Sequence, residues 1–225
     1  MCVTGERSPV LKIPIVRNIL EVNDRIAEEH RRLFDHHNLL VLNLMSSPGA
    51  GKTTLLENTI GELKKKMRVG VIEGDIQTSA DAERIVQSGA VAVQINTDGA
   101  CHLDANMIKV ALPAMNLGEV DLLFIENVGN LVCPAEFDLG EDSKVMMLSV
   151  TEGDDKPEKY PLMFHEASVL LINKIDLLPY VNFDMNRARE AVIRINPDIE
   201  ILEISCQTRQ GLDSWFQWIL DHVKK

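Results

Sequence analysis

The chain has little cysteine, no excess of positive charge and no long apolar run. Its four cysteines are Cys2, Cys101, Cys133 and Cys206, and a chain of 225 residues buries a full core without disulfides. Each cysteine is therefore buried filler or a metal or redox ligand. Basic residues number 23 against 34 acidic ones, for a net charge of −11. That balance excludes a nucleic-acid binder held by phosphate contacts. No stretch approaches the ~20 apolar residues of a membrane span. Residues 1–14 lack the apolar centre of a signal peptide. The expectation is a cytoplasmic protein with no membrane and no nucleic-acid partner.

What is present is organised around residues 46–54, Ser-Ser-Pro-Gly-Ala-Gly-Lys-Thr-Thr. An apolar run, 39–45, precedes them and a helical pattern follows. Strand, glycine loop and helix form the context of a phosphate-binding P-loop. Gly49, Ala50 and Gly51 let backbone N–H groups curl around a phosphate, and the helix adds the positive end of its dipole. Lys52 would reach the β- and γ-phosphates, and the hydroxyl of Thr53, followed by Thr54, would hold Mg²⁺. Ser46 stands where the usual pattern has Gly or Ala.

Residues 1–17 read as an extended segment, interrupted by Pro9 and Pro14. Residues 18–37 read as a helix with Ile19, Val22, Ile26 and Leu33 at helical spacing. His30, His36 and His37 at its end suit helix C-terminal charge better than metal. Strands are expected at 39–45, 69–73, 91–95, 121–126, 145–150, 168–172 and 200–204. Helices are expected at 53–66, 79–88, 104–116, 157–166, 184–195 and 212–223. Four of the strands are nearly continuous apolar runs, as in a parallel sheet covered on both faces. The fold class is therefore α/β, a doubly wound, mostly parallel sheet of the P-loop NTPase type with an N-terminal helix. Residues 18–225 form one domain in this reading.

Asn173-Lys174-Ile175-Asp176 follows one of the apolar strands, about 120 residues after the P-loop. A carboxylate at Asp176 accepts guanine N1–H and N2–H₂, a donor pair that adenine lacks. Asn173 would brace the loop and contact the base, and the Lys174 stem would cover the base face. The nucleotide is then GTP. Ser205-Cys206-Gln207, after the last strand, occupies the place of a base-contacting loop whose backbone N–H groups meet guanine O6, which makes Cys206 a loop residue rather than a metal ligand. Gly211 would close that loop before the last helix.

Phosphate chemistry also needs a carboxylate near Mg²⁺ or the attacking water. Asp75, after the strand at 69–73, is placed for it, Glu73 less so; an N-cap role for Asp75 is the alternative. Glu126-Asn127-Val128-Gly129 stands where common GTPases carry Asp-x-x-Gly. Gly129 would sense the γ-phosphate, and Glu126 would serve Mg²⁺ directly or through water. The charged loop 154–161 lies on the nucleotide face, as a solvated turn or as a source of Lys156 or Lys159 for a nucleotide held across a dimer. No arginine-finger candidate stands out, so hydrolysis should be slow.

Cys101-His102 and Cys133 lie in polar loops, not in natural core positions. They are incidental, or they form a three-ligand set for Zn²⁺ or Ni²⁺ that a two-fold dimer would complete. The strings Cys101-His102-Leu103-Asp104-Ala105 and Glu126-Asn127-Val128-Gly129-Asn130-Leu131-Val132-Cys133-Pro134, with 46–54, 73–78, 154–161 and 173–180, resemble the HypB family, hydrogenase nickel-incorporation GTPases of the SIMIBI class. The resemblance covers nearly the whole chain. It implies a GTP-dependent homodimer with a metal site at its interface, ligated by Cys101, His102 and Cys133. It also implies nickel delivery to [NiFe]-hydrogenase, with a HypA-like nickel chaperone and the hydrogenase large-subunit precursor as partners. Some family members carry an N-terminal Cys-x-x-Cys-Gly-Cys site or a His-rich tract. Here only Cys2 remains of the first and nothing of the second, so storage of nickel is not expected. Two other readings compete: a GTPase for another cargo, as in urease accessory proteins, and a metal-binding module with a passive nucleotide site.

Overall fold

The computed structural model describes residues 15–75 and 80–224, with the side chains of 15–18, 75, 80 and 81 outside the description. At its centre is strand β1 (Leu40–Ser46), buried at every position. It is flanked by parallel partners: β4 (Leu122–Glu126) on one side and β5 (Ser143–Ser149) on the other. β2 (Val69–Asp75) and β3 (Val91–Asn96) extend the sheet beyond β4; β6 (Val169–Asn173) and β7 (Glu200–Glu203) extend it beyond β5. The order is β3-β2-β4-β1-β5-β6-β7, parallel in every pairing. The chain winds outward in opposite directions from β1. The C-terminal end of β1 is thus a switch point, where doubly wound sheets leave a crevice for ligand.

The apolar runs are covered on both faces, as continuous burial in parallel strands requires. Leu40, Leu42 and Leu44 pack with Leu55 and Ile60 of α2 (Lys52–Leu63) and with Trp215 and Ile219 of α9 (Leu212–His222). Leu39 and Val41 face the other way, against Phe34 of α1 (Ile15–His36) and Ile108 of α4 (Ala105–Ala111). Met146, Leu148 and Leu170 pack with Phe164 of α7 (Pro161–Glu166) and Val192 of α8 (Met185–Ile195). Each fully buried Leu, Val or Phe contributes about 1.5–3 kcal/mol. The indole N–H of Trp215 donates to Thr59 Oγ1 at 3.0 Å, so this ring is buried without an orphaned donor.

All seven expected strands are present, with ends shifted by no more than a few residues. The helices differ more. α1 starts at Ile15, so the last residues of the segment expected to be extended are helical, while residues 1–14, including Cys2, lie outside the described residues. Its buried face is Asn23, Ala27, His30 and Phe34; Ile19, Val22 and Leu33 remain 53%, 48% and 37% exposed. His30 is thus a core residue, its Nδ1 3.0 Å from the Leu139 carbonyl oxygen. The helix expected at 104–116 ends at Ala111 and tightens into a 3₁₀ turn, Leu112–Ala114, because Pro113 has no N–H to continue the ladder. The helix expected at 157–166 is two pieces, α6 (Lys156–Lys159) and α7, divided where Pro161 removes the donor. α3 (Ala80–Ser88) and a single turn, α5 (Cys133–Glu136), complete the α-helices among the described residues. No helix among the described residues is long and apolar enough to cross a membrane.

Candidate nucleotide and metal site

The 46–54 loop leaves β1 and turns directly into α2. Gly49 and Gly51 have φ of +75° and +111°, conformations that favour glycine. A Cβ on Gly51 would lie 2.6 Å from Asn173 Nδ2, so the close approach of these two loops also requires glycine. Ser46 now has a purpose. Lys52 Nζ donates to its Oγ at 3.0 Å, holding the lysine over the loop. Thr53 Oγ1 donates to Glu126 Oε1 at 3.1 Å. Glu73 and Glu126 are register partners on β2 and β4, and both are buried. Together with Arg84 and Gly129 these groups line a cavity of about 510 Å³. A Cβ on Gly129 would lie 2.9 Å from Pro48 Cα, so the 126–129 loop sits directly on the P-loop.

A second cavity of about 350 Å³ shares Gly51, Thr54 and Lys174 with the first. Asn173 braces it: Nδ2 donates to the Ala50 carbonyl at 2.9 Å, and Oδ1 accepts the Cys206 N–H at 3.1 Å. Lys174, with φ +64°, donates through Nζ to the Gly49 carbonyl at 2.7 Å. Ser205 Oγ donates to Asp176 Oδ1 at 2.5 Å, aiming that carboxylate. Asp176, Cys206 and Gln207 all line this cavity. The Cys206 thiol is buried and pushed up to about 12 by desolvation, which suits a loop residue and not a metal ligand. Gly211 caps α9 with φ +73°.

Cys101, His102 and Cys133 come together. Their ligand atoms all lie within 4.8 Å of one another, with Cys101 Sγ 3.1 Å from Cys133 Sγ and 3.6 Å from His102 Nδ1. No other group of three metal-ligating side chains occurs among the described residues. The His102 ring lies against Phe137, with centroids 4.0 Å apart. Burial lowers the His102 pKa and so favours the neutral, ligating imidazole. The neighbouring Cys101 sulfur raises the Cys133 thiol, with burial adding to the effect. Cys101 is exposed, so the cluster opens to solvent.

Comparison with known proteins shows the family. Residues 40–203 match the family model described as CobW/HypB/UreG, nucleotide-binding domain. The chain is 54% identical over 202 residues to hydrogenase maturation factor HypB of Escherichia coli (strain K12), covering 90% of this chain and 70% of that one. The chain belongs to the HypB family of hydrogenase maturation factors. The probable HypB of Methanocaldococcus jannaschii is 43% identical over 213 residues, covering 95% of this chain and 96% of its own. The crystal structure of HypB from Helicobacter pylori in complex with nickel superposes with a TM-score of 0.84 at 40% identity, covering 88% of this chain and 94% of that one.

In this HypB-family chain the structure ranks the sequence candidates differently and adds one, Arg84, that no motif announced. Glu73 lines the phosphate cavity, whereas the side chain of Asp75, the residue favoured from sequence, lies outside the description. Arg84 enters the same cavity from α3. Lys156 and Lys159 are both paired in cis with Asp155, whose carboxyl they pull down to about 2. Two asparagines of the 126–134 string join the nucleotide and metal loops. Asn127 Oδ1 accepts the Leu103 N–H at 3.0 Å. Asn130 donates its backbone N–H to the Ser46 carbonyl at 2.9 Å and its Nδ2 to the Cys101 carbonyl at 3.1 Å. A repeated Asn in a site loop was the signal available; its partners were not.

Proposed function

We propose that this HypB-family chain is a GTP-hydrolysing metallochaperone that carries nickel, or zinc, between two copies of itself and supports nickel insertion into [NiFe]-hydrogenase. The observation that carries the reading is the three-ligand cluster hydrogen-bonded, through Asn127 and Asn130, to the loops that line the phosphate cavity.

In this reading GTP lies across the two joined cavities, its base against Asp176, Asn173, Lys174 and the 205–207 loop, its phosphates against Gly49, Ala50, Gly51, Lys52 and Thr54. The buried Glu73 and Glu126, with the Thr53 hydroxyl beside Glu126, form an all-oxygen set that fits Mg²⁺; Asp75 is the further candidate. Bound there, Mg²⁺ would neutralise charge on the phosphates. Lys52, held by Ser46, contributes fixed positive charge from the loop. Gly129, which sits against Pro48, would report a terminal phosphate through its N–H. Loss of that phosphate relaxes the 126–129 loop, and the asparagine bonds pass the change to Cys101 and Cys133.

Three protein ligands leave a metal incompletely enclosed, and the exposed Cys101 lets a second protomer complete it. Nickel in the Helicobacter pylori relative supports nickel as cargo. Membership of a maturation family supports transfer to a HypA-like chaperone and to the hydrogenase large-subunit precursor, in the cytoplasm. By linkage, metal and GTP must alter each other's affinity.

The test is mass in solution, with bound metal counted, in GDP and in a slowly hydrolysed GTP analogue with Mg²⁺, each with and without Ni²⁺. A dimer in the analogue, holding metal that Cys101→Ala or Cys133→Ala removes, is expected. A monomer in every condition, or metal and dimer unaffected by Cys133→Ala, overturns the reading.

A further inference from the structure

Among the described residues, Arg84 is the phosphate-cavity cation with no part in the scheme above. It stands on α3, so it approaches from outside the P-loop, while Lys52 approaches from within it. Its Nε and Nη2 donate to the two carboxylate oxygens of Glu57 on α2, at 3.0 and 2.6 Å. The planar fork of the guanidinium is therefore engaged on a planar anion of the same shape as a phosphate edge.

That pairing is an exchangeable one. The side chains of Arg84 and Glu57 are 44% and 30% exposed, so water screens the attraction. A nucleoside triphosphate brings several negative charges into a cavity whose own anions, Glu73 and Glu126, are buried. The guanidinium fork is then offered a more highly charged partner without leaving the cavity it already lines. A diphosphate lacks the outermost phosphoryl group and offers less.

We propose that Arg84 is a triphosphate-binding residue, stored on Glu57 and transferred to the terminal phosphate of bound GTP, where its charge assists hydrolysis in cis. The inference rests on the GTP reading above. Bond making is unaltered: water attacks the γ-phosphorus, the bond to the β,γ-bridging oxygen breaks, the bridging oxygen leaves on GDP, and the protons of the water pass to the released phosphate and to solvent. Arg84 supplies fixed positive charge to the oxygens of the transferring group and exchanges no proton. Glu57 is a positioning residue, acting by competing for the fork.

The experiment compares the full chain with Arg84→Ala, Arg84→Lys and Glu57→Gln. Affinities for GDP and for a slowly hydrolysed GTP analogue with Mg²⁺ are measured beside single-turnover GTP hydrolysis. Arg84→Ala is expected to weaken the analogue by about tenfold or more while GDP changes little. Its hydrolysis should fall by about 100-fold. Arg84→Lys keeps the charge but not the fork and should lie between. Glu57→Gln removes the carboxylate that competes for the fork and should tighten the analogue and speed hydrolysis. Equal weakening of GDP and analogue in Arg84→Ala overturns the assignment. So does a Glu57→Gln variant that loses what Arg84→Ala loses, since the pair would then only staple α3 to α2. A wild-type chain that binds neither nucleotide would strike the GTP reading itself, and this inference with it.

Discussion

Asn127 Oδ1 accepts the backbone N–H of Leu103 at 3.0 Å, across 24 residues of sequence. The same atom accepts the Val128 N–H at 3.0 Å, and Nδ2 donates to Asn43 Oδ1 at 3.2 Å. Asn43 in turn donates to Glu141 Oε1 at 3.1 Å, a carboxyl whose pKa burial pushes up. One buried amide thus fastens the nucleotide loop to the residue after Cys101-His102 and anchors both to β1. A shift of the 126–129 loop cannot occur without moving Leu103 or breaking this bond.

Asn127→Ala should therefore uncouple the two sites. It leaves the buried Leu103 N–H without its acceptor, at a cost of about 1–3 kcal/mol. The melting temperature should fall, while the metal stoichiometry of the folded protein stays the same. What should be lost is the effect of Ni²⁺ on the ratio of GTP-analogue to GDP affinity. A ratio that still responds to Ni²⁺ as in the wild type would show that coupling runs by another route.

Asp176→Asn should abolish guanine preference without unfolding the chain. The carboxylate is aimed by Ser205 Oγ at 2.5 Å and lines the base cavity. An amide presents a donor to guanine N1–H or N2–H₂, leaving polar groups opposed. GTP and GDP affinity should both drop by about 100-fold or more, because a site built for hydrogen bonds rejects a mismatched edge strongly. Titration with GDP, GTP and ATP reads this directly. Undiminished GDP binding would place the base elsewhere.

The stability of the fold should weaken on mild acidification through His30. Burial lowers its pKa from the ordinary value, and Lys109 adds to the effect. The Leu139 carbonyl, Glu29 and Asp138 oppose it without reversing it. The unfolded chain therefore takes up a proton near pH 6.5 before the folded chain does. The stabilisation is complete above pH ~6.5 and is lost as pH falls through the lower, folded value. Urea midpoints measured from pH 7 to pH 5 should decline, and His30→Gln should flatten that decline. A wild-type slope unchanged by the substitution would assign the loss to other groups.

The legible parts of this protein are those written in one stretch of chain. The 46–54 loop was readable because strand, glycines, Lys52 and Thr53 are contiguous, and the 173–176 tetrad because it ends an apolar strand. Four of the seven strands were readable because continuous apolar runs have few other uses in a chain this size. Less legible was α1, where Ile19 and Val22 suggested the inner face while Asn23 and His30 occupy it. Apolar spacing marks a helix but not which of two neighbouring stripes meets the sheet. Two hydrogen bonds decided that: the Ala105 N–H donates to Asn23 Oδ1, and Asn23 Nδ2 donates to the Asp138 carbonyl.

By itself the sequence determined a doubly wound α/β sheet of the P-loop type, which local order encodes, while it favoured Cys101, His102 and Cys133 as candidate metal ligands only through their resemblance to a family. Tertiary structure alone decided that Cys133 reaches within 3.1 Å of Cys101, that Glu73 stands beside Glu126, and that Arg84 faces the phosphate cavity on a fork held by Glu57. Each joins segments far apart in the chain. Such meetings are set by strand register and helix packing, which arise from burial summed over the whole sheet and not from any residue's neighbours in sequence.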